Sequence, residues 1–270
     1  MLIKRKSIEA ESNYRSGPSA AKTREKKRKA VFAPITLSEH DGVRYLHFGT
    51  EWIQGAMRLR KPDWLELEYA QQMMAWMLFK ENPKEILQLG LGTGALTKFC
   101  YQYFPASKVT AIELNPAVIT ICESMFKLPA NNERLQVIEM DAMDFVNDEA
   151  QQHRFDAMQV DLYDATAKGP VLDSAEFYQA CFDCLSDDGI LTVNLFGDHP
   201  SFNKNIKALR YVFGTVLCLP EVHEGNVVAI AFKPRLKLDL DYLYARAKVI
   251  QEETKLPAKQ WVDGLAETQR

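Results

Sequence analysis

Four carboxylates fall at or just after the ends of short apolar runs. Glu113 closes the run 108–113, Asp141 follows the run 135–140, and Asp161 ends the run 155–161 with Asp164 three residues on. Upstream of all four, residues 85–95 read Glu-Ile-Leu-Gln-Leu-Gly-Leu-Gly-Thr-Gly-Ala, an apolar run broken by Gly90, Gly92 and Gly94 around Thr93. Glycines at this spacing let bare backbone lie against a nucleoside, where a Cβ would collide, and the free N–H groups of a following helix then face the ligand. Glu113 is placed to accept hydrogen bonds from both ribose hydroxyls. A glycine turn followed by an acid also describes a dinucleotide site. Asp141 shifts the reading, because an acid after the third run can accept from an adenine amino group. Asp161 and Asp164 then face the space that the alkyl groups of a sulfonium would occupy. The pattern points to an S-adenosyl sulfonium ligand.

Such a constellation needs a frame that brings the ends of several strands together. Strand and helix patterns alternate from residue 85: strands 85–90, 108–113, 135–140, 155–161 and 190–195, with helices 95–104, 116–126, 142–147 and 173–185 between them. Alternation of this kind predicts a parallel sheet covered on both faces, with its ligand at the carboxyl ends of the strands. A helix over 201–213 precedes strands 215–217 and 226–232, whose short connection forces an antiparallel pair at one edge. The fold class is therefore α/β, a Rossmann-type, S-adenosylmethionine-dependent methyltransferase-like sheet of seven strands. Ahead of it, period-two segments 35–38, 43–48 and 52–59, with Asp41-Gly42 at a tight turn, predict a small β-meander that needs another surface to be stable. After Pro62, Asp63 is placed to cap a long helix to about residue 80, with Leu65, Tyr69, Gln72, Met73, Trp76 and Met77 on one stripe. The expected organisation is a basic tail (1–30), the meander (31–62), a catalytic domain (63–235) and a C-terminal helical tail (236–270) of one or two surface helices broken at Leu256-Pro257.

Composition narrows the setting. The chain has 270 residues, 47% of them apolar, and a net charge of −3, so it can bury one good core and has no charge excess that asks for nucleic acid. No apolar run reaches the ~18 residues of a membrane span. The first six residues are too polar for a signal peptide. Five cysteines form no metal-like or disulfide framework, and Cys181 and Cys184, one helical turn apart, read as buried thiols. The histidines form no cluster. A cytoplasmic protein with no bound metal is expected.

The run Asp161-Leu162-Tyr163-Asp164, followed by Gly169-Pro170, Leu172 and Phe177-Tyr178, resembles the spermidine synthase (polyamine aminopropyltransferase) family. The resemblance covers residues 32–233 and includes the small N-terminal β-domain, the glycine turn, the acid for ribose and the Asp-Ala pair Asp141-Ala142 after the third strand. It implies transfer of an aminopropyl group from decarboxylated S-adenosylmethionine to an amine such as putrescine, with methylthioadenosine released. By the same resemblance Glu113 holds the ribose and Asp141 the adenine, with Gly90, Gly92, Thr93, Gly94 and Ala142 in the cofactor site. Asp161 is then the base, Asp164 fixes the amine, Tyr69 contacts it, and a homodimer or homotetramer forms through the meander. The chemistry suits these residue types. The sulfonium is already an activated leaving group, so no metal is called for, and the obstacle is the proton on the amine. Asp161 can take it if the like charge at Asp164 and partial burial raise its pKa from about 3.9.

Three positions depart from the family pattern. Thr93 stands where the family has an aspartate for the aminopropyl ammonium, Ala165 where it has proline after the second acid, and Val222 where it has tyrosine against the amine. These keep two alternatives in view: a small-molecule methyltransferase using S-adenosylmethionine, and a nucleoside-binding homologue without turnover.

Overall fold

The computed structural model describes residues 32–164, 170–222 and 225–267. The basic tail, Ala165, Gly169, His223 and Glu224 lie outside the described residues. From Ala33 onward the chain forms one compact unit. Its N-terminal part is an antiparallel three-stranded sheet, β1 (Ile35–His40), β2 (Val43–Phe48) and β3 (Gly55–Arg58). The third strand is shorter than the alternation of residues 52–59 suggests. Residues 49–54 instead form a loop, because Gln54, whose N–H donates to the Leu46 carbonyl, ends the pairing there. The meander finds its covering surface within the chain: Leu46 and Met57 are fully buried in the same core as Leu65, Met73 and Leu96.

The main sheet contains β4 (Glu85–Leu89), β5 (Lys108–Glu113), β6 (Leu135–Glu139), β7 (Phe155–Val160), β8 (Leu185–Phe196), β9 (Thr215–Cys218) and β10 (Asn226–Phe232), in the order β6-β5-β4-β7-β8-β10-β9. The first five strands run parallel, while β10 pairs antiparallel with both β8 and β9. The last strand thus inserts inside the edge, and its seven residues are all buried. Helices α2 (Ala95–Tyr103), α3 (Pro116–Met125), α4 (Ala142–Val146), α5 (Ala175–Cys184) and α6 (Ser201–Val212) connect the strands. Asn115, Asp141 and Ser174 cap α3, α4 and α5 with side-chain oxygens. Because β5 and β7 leave β4 on opposite sides, a crevice opens at the carboxyl end of β4.

The segment after the meander departs from expectation. In place of one helix over 63–80 there is a short α1 (Glu68–Gln72) followed by a 3-10 turn over Met73–Leu78, and Asp63 lies in the turn ahead of them. All six residues of the 3-10 turn are buried, and the Met73 carbonyl accepts hydrogen bonds from Thr192 (3.1 Å) and Gln159 (3.4 Å) of the sheet. Hydrogen bonds from the sheet compete for this carbonyl with the i+4 bond of an α-helix, which favours the tighter 3-10 turn. The C-terminal segment also differs from a surface tail. Helices α7 (Leu240–Thr254) and α8 (Ala258–Glu267), separated by Lys255 in the left-handed conformation before Leu256-Pro257, bury Leu243, Ala247, Ile250, Trp261, Val262 and Leu265 in the main core.

Lys98 of α2 is 1% exposed, and its ammonium donates to the Phe126 carbonyl at 2.7 Å. Burial lowers its pKa to about 8, with Asp63 and Cys122 opposing. Between that value and the ~10.5 of an unfolded lysine, the unfolded chain binds more protons, so this group's contribution to stability rises with pH across that window. Urea unfolding of wild type and Lys98→Met, compared at pH 7 and pH 10, should show wild type gaining on the variant by on the order of 2 kcal/mol. A pH-independent difference would mean that Lys98 keeps an ordinary lysine pKa in the folded chain and stays protonated throughout.

Candidate active site

The carboxyl ends of β4, β5, β6, β7 and β8 open into a cavity of about 500 Å³. Gly90 and Gly92 after β4, Glu113 at the end of β5, Asp141 and Ala142 after β6, and Asp161 after β7 all line it, and Tyr69 of α1 closes one side. The loop between β2 and β3 brings Glu51, Trp52, Ile53 and Gln54 over the same space, and the Gln54 amide donates to the Asp164 carbonyl at 3.2 Å. Trp52, Ile53, Leu114, Met140 and Val171 leave an apolar, exposed rim around the mouth.

The glycine turn depends on backbone geometry. Gly90 has φ +91°, and a Cβ there would lie 2.1 Å from the Asp161 carbonyl oxygen. The close approach is made by hydrogen bonds from Gly90 N–H to Ile112 and from Asp161 N–H to Leu89, each 2.9 Å. Glu113 bridges the turn and its own strand end, one oxygen accepting from Leu91 N–H at 3.0 Å and the other from Asn115 N–H at 2.8 Å. Burial raises its pKa, while the backbone N–H groups of Asn115, Leu91 and Leu114 oppose the rise. Asp141 caps α4 through one oxygen, accepting from Met143 N–H at 2.8 Å.

Asp161 accepts from Asn194 Nδ2 at 2.9 Å on one oxygen and from the Tyr69 hydroxyl at 3.3 Å on the other. Its pKa is raised by burial, and both hydrogen bonds oppose that rise. The like charge of Asp164 is not its source. Asp164 is exposed, outside the cavity wall, immediately before residues 165–169. Thr93 and Gly94 also stand apart from the cavity lining. Thr93 is 2% exposed beneath β3, where its methyl fills the space that a Cβ on Gly55 would need. Gly94 adopts φ +66° to start α2 and packs against Leu128. A separate nook of about 20 Å³ lies beside Thr93, walled in part by Gln54, Glu66, Gln88 and Asp161, with Glu66 held by both Arg58 nitrogens that reach it.

Sequence reasoning missed Asn194, Asn226, Tyr163 and Gln54. Asn194 lies within an apolar run and Asn226 opens one, so a polar residue among core neighbours was the available signal. Gln54 belongs to a different sheet, and only the tertiary fold brings it to the site.

This architecture, with a nucleoside-sized cavity at the topological switch point and an acid at or just after the ends of β5, β6 and β7, is that of the Rossmann-type, methyltransferase-like class. A profile of the spermine/spermidine synthase domain matches residues 66–235. The chain is 33% identical over 240 residues to a polyamine aminopropyltransferase of Neisseria meningitidis, covering 88% of this chain and 90% of that one. Among solved structures, a probable spermidine synthase from Corynebacterium glutamicum superposes with TM-score 0.68 at 18% identity, covering 86% of this chain and 91% of that one. A spermidine synthase in complex with the transition-state analogue AdoDATO gives 0.65 at 20% identity, covering 86% and 85%. The chain belongs to the spermine/spermidine synthase family. No helix among the described residues is long and apolar enough to cross a membrane.

Proposed function

We propose that the chain transfers an aminopropyl group from decarboxylated S-adenosylmethionine to a primary amine, releasing methylthioadenosine. The observation that carries this reading is the charge of the cavity: Glu51, Glu113, Asp141 and Asp161 line it, and its described lining contains no lysine, arginine or histidine. A decarboxylated sulfonium donor and an amine acceptor are both cationic, and carboxylates select them electrostatically, whereas the carboxylate of ordinary S-adenosylmethionine is repelled.

In this reading Glu113, whose two oxygens keep lone pairs beyond the backbone N–H groups they hold, accepts from the ribose hydroxyls. The Asp141 oxygen not used for capping receives the adenine amino group, with Ala142 beside it. Asp161 takes the proton that the acceptor ammonium must shed. The freed nitrogen lone pair then forms the N–C bond to the propyl carbon, the C–S bond breaks, and its electron pair stays on sulfur as the thioether of methylthioadenosine. Tyr69 donates to Asp161 and holds its side chain toward the cavity. Asp164, tied through its carbonyl to Gln54, marks the acceptor side of the mouth. A dimer or tetramer formed through the meander, and a reducing, cytoplasmic setting for five free cysteines, belong to the same proposal. Light scattering on the purified chain tests the first.

Calorimetric titration with decarboxylated S-adenosylmethionine, S-adenosylmethionine and methylthioadenosine tests the donor. The decarboxylated form and methylthioadenosine should bind at least ~10-fold more tightly than S-adenosylmethionine. A second reading, methyl transfer, rests on Thr93: it is neutral and buried, so the glycine turn offers the aminopropyl ammonium no carboxylate. Equal or tighter binding of S-adenosylmethionine, with S-adenosylhomocysteine as product, would put that reading first.

A further inference from the structure

The hydrogen bonds behind Asp161 form a chain whose direction is fixed at its far end. The Tyr163 hydroxyl meets the backbone carbonyl of Asn194 at 3.1 Å, and a carbonyl can only accept, so the hydroxyl donates its one hydrogen there. The Tyr163 oxygen is then left to accept, and its partner is the Asn226 side chain, which must present its NH₂ group. The Asn226 nitrogen also reaches Asn194 Oδ1, at 2.9 Å. With its oxygen engaged, Asn194 turns its own NH₂ toward Asp161 Oδ1, at 2.9 Å. Asn194 and Asn226 are 2% and 8% exposed, so bulk water is poorly placed to substitute for either partner. An amide donor favours the ionised carboxylate. The flipped amide would present oxygen and require Asp161 to carry a proton.

We propose that Tyr163 and Asn226 are positioning residues that act through Asn194 to hold Asp161 in its proton-accepting form, an inference that rests on Asp161 being the base. Both line the same cavity, but the hydrogen bonds to Asp161 come from Asn194 and Tyr69, so each acts on the orientation of one amide. The other titratable groups around Asp161 are Tyr69 on α1, Tyr163 on its own segment, Glu113 and Asp141 elsewhere on the cavity wall, and exposed Asp164. The described cavity lining has no cation that could supply the same stabilisation.

Carbon-13 carboxyl NMR of the full chain tests this without a substrate, using Asp161→Asn to assign the resonance. Tyr163→Phe frees Asn226 to flip, and Asn226→Leu frees Asn194. In each variant the Asp161 titration midpoint should rise by about one pH unit. Because the two residues act in series, the double variant should rise no further than the larger single shift. Midpoints unchanged from wild type, or shifts that add in the double variant, would overturn the proposal. Methylthioadenosine release from decarboxylated S-adenosylmethionine and putrescine separates the two levels. Asp161→Asn as active as wild type removes the base and the relay together. Loss of activity in Asp161→Asn alongside unmoved midpoints removes the relay alone.

Discussion

Asp161→Asn should lower turnover by roughly 10²–10⁴-fold, the usual worth of a positioned general base, while leaving methylthioadenosine binding within roughly threefold of wild type. The two effects separate because the groups proposed to hold the nucleoside, Glu113 and Asp141, sit on other strands and make none of the hydrogen bonds to Asp161. The variant should also fold well. An asparagine at 161 can still accept from Asn194 through its oxygen and donate its NH₂ to the Tyr69 hydroxyl. Its stability carries a pH signature. Burial raises the folded pKa of Asp161 above its unfolded value, so over the window between them the folded chain binds more protons and stability falls as pH rises. The variant lacks this loss, so it should be the more stable chain at pH 7, with the two converging as pH falls below the unfolded value near ~4. Steady-state kinetics and calorimetry on one preparation check the first pair of outcomes, and thermal melts at pH 4 and 7 check the second. Full activity in the variant would leave a binding protein or a different base.

Gly90→Ala should be the most damaging single-methyl change in the site, costing about 3 kcal/mol or more and abolishing nucleoside binding. Two penalties coincide there: a φ of +91° that disfavours any L side chain, and a Cβ only 2.1 Å from a backbone carbonyl, an atom that cannot swing aside. Relief would require β4 and β7 to part at the end where Asp161 leaves the sheet. Gly42→Ala is the matched control. Its φ is +75° at the β1–β2 turn, but no atom lies within 4 Å of the added Cβ, so the conformational strain remains without the clash, at about 1 kcal/mol. Urea unfolding and methylthioadenosine titration of both variants make the comparison. Equal losses would mean that Gly90 is needed only for its backbone angle.

The sequence by itself determined the parts that follow from local pattern. The alternation of apolar runs with amphipathic segments defined the parallel strands β4 to β8 and the helices between them, since burial on both faces of a sheet demands that pattern. Each acid at a strand end was legible because the carboxyl edge of such a sheet is where polar side chains face a ligand rather than the core. Gly90, Gly92, Glu113, Asp141 and Asp161 were found in this way, and the structure brings them to one cavity. The tertiary structure decided what depends on partners distant in the chain. Residues 68–78 form a short helix and a 3-10 turn where Thr192 and Gln159 of the sheet bond the Met73 carbonyl and compete with its α-helical partner. The C-terminal helices are core elements because the main unit offers their apolar faces a surface. Thr93, Gly94 and Asp164 sit at motif positions yet leave the cavity wall, since a motif fixes spacing and packing fixes direction. Asn194 and Asn226 reach Asp161 across the sheet and Gln54 reaches its neighbour Asp164 from the meander, through contacts that no local period encodes, and Tyr163, though two residues from Asp161, is tied to them only by its hydroxyl on the Asn194 carbonyl.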